Sequence, residues 1–439
     1  MFSKSKIFGL ICLVSALCAC SSHKEIPQGN RISVWAEPEQ FISKETSAAT
    51  SFKLSEPVEN ESWNQTGLNA AHLLKNIAAQ TDMHESWSAS FGEGSSKRNL
   101  LLSAPIVANS IVYAQDVNAT VYAFDLKTGK QIFKQKLKTL NKNDSKSGLN
   151  GVGLAFNNNH LYALAGFGSV FSLNAQTGEI LWRKDLKIPL RTAPTAADNK
   201  LFVQTIDNQI LALDAQNGDE IWAYNMSSED TVLAGLAPSA YSHEKEIIVA
   251  AFSNGEIQAF NARIGYPLWS NSLVNTGKIG SQIGLNAIKA APVIDGDTVY
   301  AAGTNDLTLA VNIESGEVLW RKQIGSTNTP CVDKEALFIL SDKFELIALN
   351  KKTGENLWST ELFSDLSSKE KRSLYLSGPV LINSELMLTS SNGKVLTFDA
   401  LTGAPKNELN LHEDLPFGPV AAQKTIIFTT SDADLIAFK

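Results

Sequence analysis

The stretch Ala212-Leu213-Asp214-Ala215-Gln216-Asn217-Gly218-Asp219-Glu220-Ile221-Trp222 is the unit from which the chain is built. It reads as an apolar strand end, a turn closed by Gly, and a strand opening on Trp. The turn glycines of its seven copies are Gly129, Gly178, Gly218, Gly265, Gly316, Gly354 and Gly403. Trp182, Trp222, Trp269, Trp320 and Trp358 stand four residues after their own glycines, while Phe133 substitutes in the first copy and Asn407 in the last. A motif recurring at this spacing marks a repeat architecture, which constrains the fold more than any local propensity.

Each copy carries the same order of signals. In the first, Pro105-Ile106-Val107 opens a short strand, Asn109-Ser110 turns it, and Ile111 to Gln115 forms a second. Val121 to Asp125 is a third strand, Lys127-Thr128-Gly129 turns again, and Ile132 to Leu137 is a fourth. Four short strands joined by Asn, Asp and Gly turns describe a propeller blade. First-strand openings occur at Pro105, Gly153, Pro194, Pro238, Pro292, Pro330, Pro379 and Pro419, which predicts eight blades. The chain ends at Lys439, before the eighth unit reaches a fourth strand, and Glu85 to Phe91 matches the missing Trp-led strand. The expectation is an all-β, eight-bladed propeller of four-stranded antiparallel blades over residues 85–439, closed by the N-terminal strand completing the last blade.

From first-strand Pro or Gly to turn Gly the distance is 24 to 27 residues, whereas from the fourth strand to the next opening it ranges from 10 to 23. Length variation is therefore confined to one set of connections, on the face they share with the second-to-third-strand turns. Variable loops on a rigid frame are where binding usually resides. The recurring Trp residues read as filling between blades and the turn glycines as positive-φ positions, not as a ligand site.

Lys4 and Lys6 followed by the apolar run Ile7 to Leu17 read as a signal segment, too short for a membrane-spanning helix of ~20 residues. Leu17-Cys18-Ala19-Cys20 resembles a bacterial lipobox, which makes residues 1–19 a lipoprotein signal peptide and Cys20 the lipidated first residue. Residues 20–84 then read as a lipidated N-terminus and tether, in which the spacing of Leu68, Ala71, Leu74 and Ala78 allows either a short helix packed on the propeller rim or a loose loop. Cleavage before Cys20 would leave Cys20 and Cys331, so no internal disulfide is expected, and Cys331 reads as a buried inert thiol.

A net charge of −7 and the absence of a long Lys/Arg run argue against nucleic acid as a partner. The six histidines show no metal-ligand spacing, and Gly166-Phe167-Gly168-Ser169 is neither a nucleophile elbow nor a phosphate loop. No catalytic, metal or cofactor-binding residue is predicted.

The unit Ala-x-Asp-x-x-Thr-Gly-x-x-x-Trp, over residues 85 to 439, resembles the repeat of quinoprotein-type β-propellers. Two families share it, the pyrroloquinoline quinone alcohol dehydrogenases and the BamB lipoproteins of the outer-membrane β-barrel assembly machinery. The lipobox, the tether, Trp63-Asn64-Gln65 and the Trp87 strand are similar to the second plan, and the adjacent-cysteine pair of the dehydrogenases is missing. The resemblance implies that the chain is not an enzyme and binds no cofactor, but is a scaffold, a monomer within a hetero-complex. It would be lipid-anchored at the periplasmic face of the outer membrane and bound to the periplasmic domains of the barrel-inserting subunit. It also implies a partner-binding role for Leu190 and Arg191, while the family's acidic pair before a later blade is not reproduced at Leu285 to Lys289. A periplasmic propeller capturing a small ligand or a cell-wall polymer is the competing expectation.

Overall fold

In a computed structural model, which describes residues 52–80, 83–139, 151–226, 237–274, 287–304 and 306–439, the seven repeat copies become seven blades of four antiparallel strands, the seventh extended at its inner edge by Ile77–Ala78 and Val58–Glu59 in parallel. The first blade is Ile106–Ala108, Ile111–Gln115, Thr120–Asp125 and Gln131–Lys136, running from the innermost strand to the outermost. The eighth pairs Val420–Ala422, Thr425–Thr429 and Asp434–Phe438 with Glu85–Ser90, in the register Trp87 to Ala437 and Ala89 to Leu435. The expected closure is thus formed by strands from opposite ends of the chain, and the sheet edge left open by the incomplete last repeat is paired.

Why the repeat needs both its Trp and its Gly is visible between blades. Each fourth strand slips register at this place, beside an aromatic residue in every blade but the seventh, as at Ala212 against Trp222 and Ala310 against Trp320. The bulge aims the ring across the gap to the next blade. There the indole Nε1 donates to a backbone carbonyl: Trp222 to Ala262 at 3.0 Å, Trp269 to Ile313 at 2.7 Å, Trp320 to Lys351 at 3.0 Å. The same ring covers the next blade's turn glycine. A Cβ on Gly316 would lie 2.5 Å from Trp269, and one on Gly354 would lie 2.8 Å from Trp320. These glycines also sit at φ +73° and +70°, so two separate constraints exclude a side chain. Inside each turn an Asx side chain holds the loop, as Asp125 does by accepting from Thr128 N at 2.8 Å and Thr128 Oγ1 at 2.6 Å.

The core is correspondingly divided into clusters between sheets rather than one centre. Phe171, Leu161 and Tyr113 lie in one such cluster, and Phe202, Trp222 and Phe260 in another. Cys331 is fully buried, and burial pushes its thiol up to about 12, consistent with an unreactive core residue.

The N-terminal segment departs from the expected tether. Residues 52–80 form no helix; they run as a strap over the ends of the innermost strands and touch every blade. Ser55 bonds Asp333, Asn60 O accepts from Gln423 N at 2.7 Å, and Trp63 exchanges two backbone bonds with Val107 at 2.7 and 2.8 Å. Asn64 O accepts from Phe156 N, and the Gln65 side chain reaches Ala196. Ala70 O, Ala71 O and Ile77 O take the amides of Tyr241, Ile294 and Asn383. Val58–Glu59 then lies parallel to Ile77–Ala78, so the circuit overlaps itself. A helix over Leu68 to Ala78 would spend its carbonyls internally. The strap instead gives them to the ring, and positive φ at Gly67, Leu68 and His72 bends it to follow the circle. Among the described residues no helix is long and apolar enough to cross a membrane.

Candidate functional site: the face of the long connections

Each blade's outgoing connection is pinned to its own second-to-third-strand turn. Leu137 N donates to Ala119 O, Leu186 N to Gly168 O, Met226 N to Asn208 O, Leu273 N to Gly255 O and Leu362 N to Phe344 O. The variable connections and these turns therefore share a face. The strap lies against the opposite ends of the innermost strands, beside the first-to-second-strand turns. The face of the long connections carries the extra elements, including the short helix Ser368–Lys371 with its Ser367–Glu370 capping box.

Leu190 and Arg191 lie in the connection from blade 2 to blade 3, and the fold gives them different environments. Leu190 bridges Thr205 through its backbone and donates its amide to Gly166 O at 3.3 Å. This turns its side chain into the cluster of Val152, Leu164 and Val203, where it is fully buried. Arg191 is half-buried. Its Nη1 donates to Gly166 O at 3.1 Å and to Leu190 O at 2.6 Å. Burial lowers the guanidinium pKa from its ordinary value. That range is so high that the group stays charged at neutral pH. Among the described residues no carboxylate lies within ion-pair distance of it. A guanidinium positioned by carbonyls through one nitrogen keeps its remaining donors for an external acceptor, for which a carboxylate is the best geometric match.

Lys289, standing where the family resemblance implies an acid, is exposed and helps stabilise the ionised form of Asp342. Burial, opposed by that charge and by bonds from Thr327, nonetheless raises the Asp342 pKa. Cys20 and most of the connection from Ser272 to Lys289 lie outside the described residues. Among the described residues no group of three His, Cys, Asp or Glu side chains is arranged to hold a metal ion. Sequence reasoning missed the strap altogether. Its one legible signal was Trp63, a large aromatic in an otherwise polar stretch.

The fold is shared by proteins of different activity. A solved BamB from Moraxella catarrhalis superposes with a TM-score of 0.67 at 16% identity, covering 81% of this chain and 99% of that one. A quinohemoprotein alcohol dehydrogenase, ADHIIG from Pseudomonas putida HK5, superposes equally well, at 0.67 and 14% identity, covering 87% of this chain and 80% of its own. Both likenesses show the architecture alone. Sequence separates them. A protein of Yersinia pestis named outer membrane protein assembly factor BamB is 27% identical over 322 residues, 73% of this chain and 79% of its own. The family model described as outer membrane protein assembly factor BamB matches residues 117–360, more than half of the chain, and the protein belongs to that family.

Proposed function

We propose that the protein is a non-enzymatic scaffold of outer-membrane β-barrel protein assembly, anchored through lipidated Cys20 at the periplasmic face of the outer membrane. It binds the periplasmic domains of the barrel-inserting subunit through the face of the long connections. The observation that carries this reading is Arg191, a charged guanidinium held by carbonyls on that face with no carboxylate partner among the described residues. Leu190 supports the site from beneath by fixing the connection to the blade core. The relatives are named outer membrane protein assembly factors, which supports a role in that assembly.

Co-purification after mild detergent extraction tests it. Arg191→Glu should abolish recovery of the barrel-inserting subunit; because it also removes the bonds to Gly166 O and Leu190 O it should lower thermal stability modestly, so the fold of the variant is verified alongside capture. A well-folded variant that captured the subunit at the unsubstituted level would remove Arg191 from the contact. Cys20→Ser should release the protein into the soluble periplasmic fraction, and its continued sedimentation with outer membranes in high salt would refute the anchor.

A further inference from the structure

The described residues between 127 and 191 hold nine Lys and Arg against two Asp and Glu, in a chain whose net charge is −7. The repeat does not demand these cations. One residue after the turn glycine, blades 2, 3, 5 and 6 carry Glu179, Asp219, Glu317 and Glu355, whereas blade 1 carries Lys130. Lys134 and Lys136 follow on the same outermost strand and Lys138 on the connection beyond it, all exposed. Blade 2 continues the surface, since Arg183 Nη1 donates to Lys138 O at 2.8 Å.

These lysines are uncompensated. Lys136 Nζ donates to Asn118 O at 2.7 Å, and Lys134 Nζ lies 5.1 Å from the Tyr122 ring centroid. None of the four has a carboxylate within ion-pair distance among the described residues, whereas Lys245, Lys351 and Lys394 elsewhere in the ring each do. Ile132, 45% exposed, lies among them. Like charges left unneutralised on one edge of an acidic protein cost self-repulsion and make the molecule a strong dipole, which orients it toward an anionic surface.

We propose that the outer edge of blade 1, continued by blade 2, docks on an anionic phospholipid bilayer. Lysines are hydrated point charges on flexible stems, spread along an outermost strand with an exposed aliphatic side chain between them. That array suits a mobile field of phosphates, whereas a fixed set of partner carboxylates favours the bidentate fork of arginine. The lipid anchor proposed above would hold this edge near a bilayer. The measurement uses non-lipidated protein, so its failure leaves that anchor untouched.

The full chain carrying Cys20→Ser is sedimented with vesicles of phosphatidylcholine alone and with vesicles containing about one-third phosphatidylglycerol; we expect about tenfold stronger binding to the second. Combined Lys130→Gln, Lys134→Gln and Lys136→Gln should bring binding down to the neutral-vesicle level, whereas the charge-matched set Lys334→Gln, Lys352→Gln and Lys369→Gln should not. Raising NaCl from about 0.05 to about 0.5 M should erase the preference of the unsubstituted edge, a check that needs no lysine substitution. Equal binding to both vesicles, or a preference surviving in the first triple variant or in high salt, overturns the proposal. Absence of vesicle preference together with loss of protein capture by that variant overturns it in favour of an acidic protein surface.

Discussion

His72 offers a sharp test of how the strap is held. The ring is fully buried, its Nδ1 lies 2.8 Å from Pro292 O, and its backbone occupies φ +55°. Burial holds its pKa down to about 4 from an ordinary 6.5, with the Pro292 carbonyl opposing the shift only partly. The folded value is depressed, so the neutral ring is the form that fits. Its contribution is complete above the unfolded value of 6.5 and is lost as pH falls from there toward 4. A gap of that size corresponds to about 3 kcal/mol, at ~1.4 kcal/mol per pH unit. His72→Asn isolates the effect, because Asn tolerates positive φ and its amide can donate to the same carbonyl without titrating. At pH 7 the smaller side chain leaves a void beneath Gly67, whose position lies against the His72 ring, and should cost ~1–2 kcal/mol. At pH 4 the parent has lost the His72 contribution while the variant has not, so the difference should close or reverse. Urea unfolding of both proteins at pH 7, 5.5 and 4, followed by Trp fluorescence, measures it. A stability difference that stays constant across that range would refute the burial of a neutral His72.

Trp320→Ala should cost ~3–5 kcal/mol in urea unfolding, because it empties the space over Gly354 and leaves the Lys351 carbonyl with Tyr300 Oη as its remaining donor; a cost under 1 kcal/mol would contradict the interblade role. Gly316→Ala and Gly296→Ala separate the two demands on glycine. Both sites have positive φ, but an added Cβ meets Trp269 at 2.5 Å in the first and nothing within 4 Å in the second, so the first should lose at least ~2 kcal/mol and the second ~1 kcal/mol. Equal losses would mean that the Trp ring moves aside freely. The thiol of Cys331 should resist alkylation at pH 8 until the protein is unfolded, and prompt labelling of native protein would show that its strand opens.

The blades were legible because their determinants are local and repeated. Asp214 at the start of a turn, Gly218 within it and Trp222 just beyond lie within nine residues, and the same spacing in other copies averages out each copy's accidents. Even the partner of the last blade could be inferred, since Trp87 carries the same strand signature. The strap carries no such signature. Asn60, Asn64, Ala70 and Ala71 dock through backbone carbonyls, which every residue possesses, so composition records nothing of the contact. The candidate site was half legible for a related reason. The Leu190-Arg191 dipeptide marks a position in a connection, but only the bridge to Thr205 fixes which side chain enters the core and which keeps its donors for another molecule.

Closure also makes the two ends of the chain depend on each other. Trp87 pairs with Ala437 and Asn60 with Gln423, so the eighth blade and the docking of the strap on it need residues separated by most of the sequence. The other seven blades draw their four strands from one continuous stretch each and can assemble locally. Residues 52–80 and the strand Glu85–Ser90 are made before the rest of the ring and find their last partners only when the C-terminal strand exists. Their placement therefore reports a complete ring, and a chain without Glu85–Ser90 leaves the outer edge of Asp434–Phe438 unpaired. The strap covers the blade ends on one side, which leaves the face of the long connections and the outer blade edges as the surfaces available to partners. Arg191 and the lysines of blade 1 lie on those two surfaces, and among the described residues neither Arg191 nor Lys130, Lys134, Lys136 or Lys138 has a carboxylate partner.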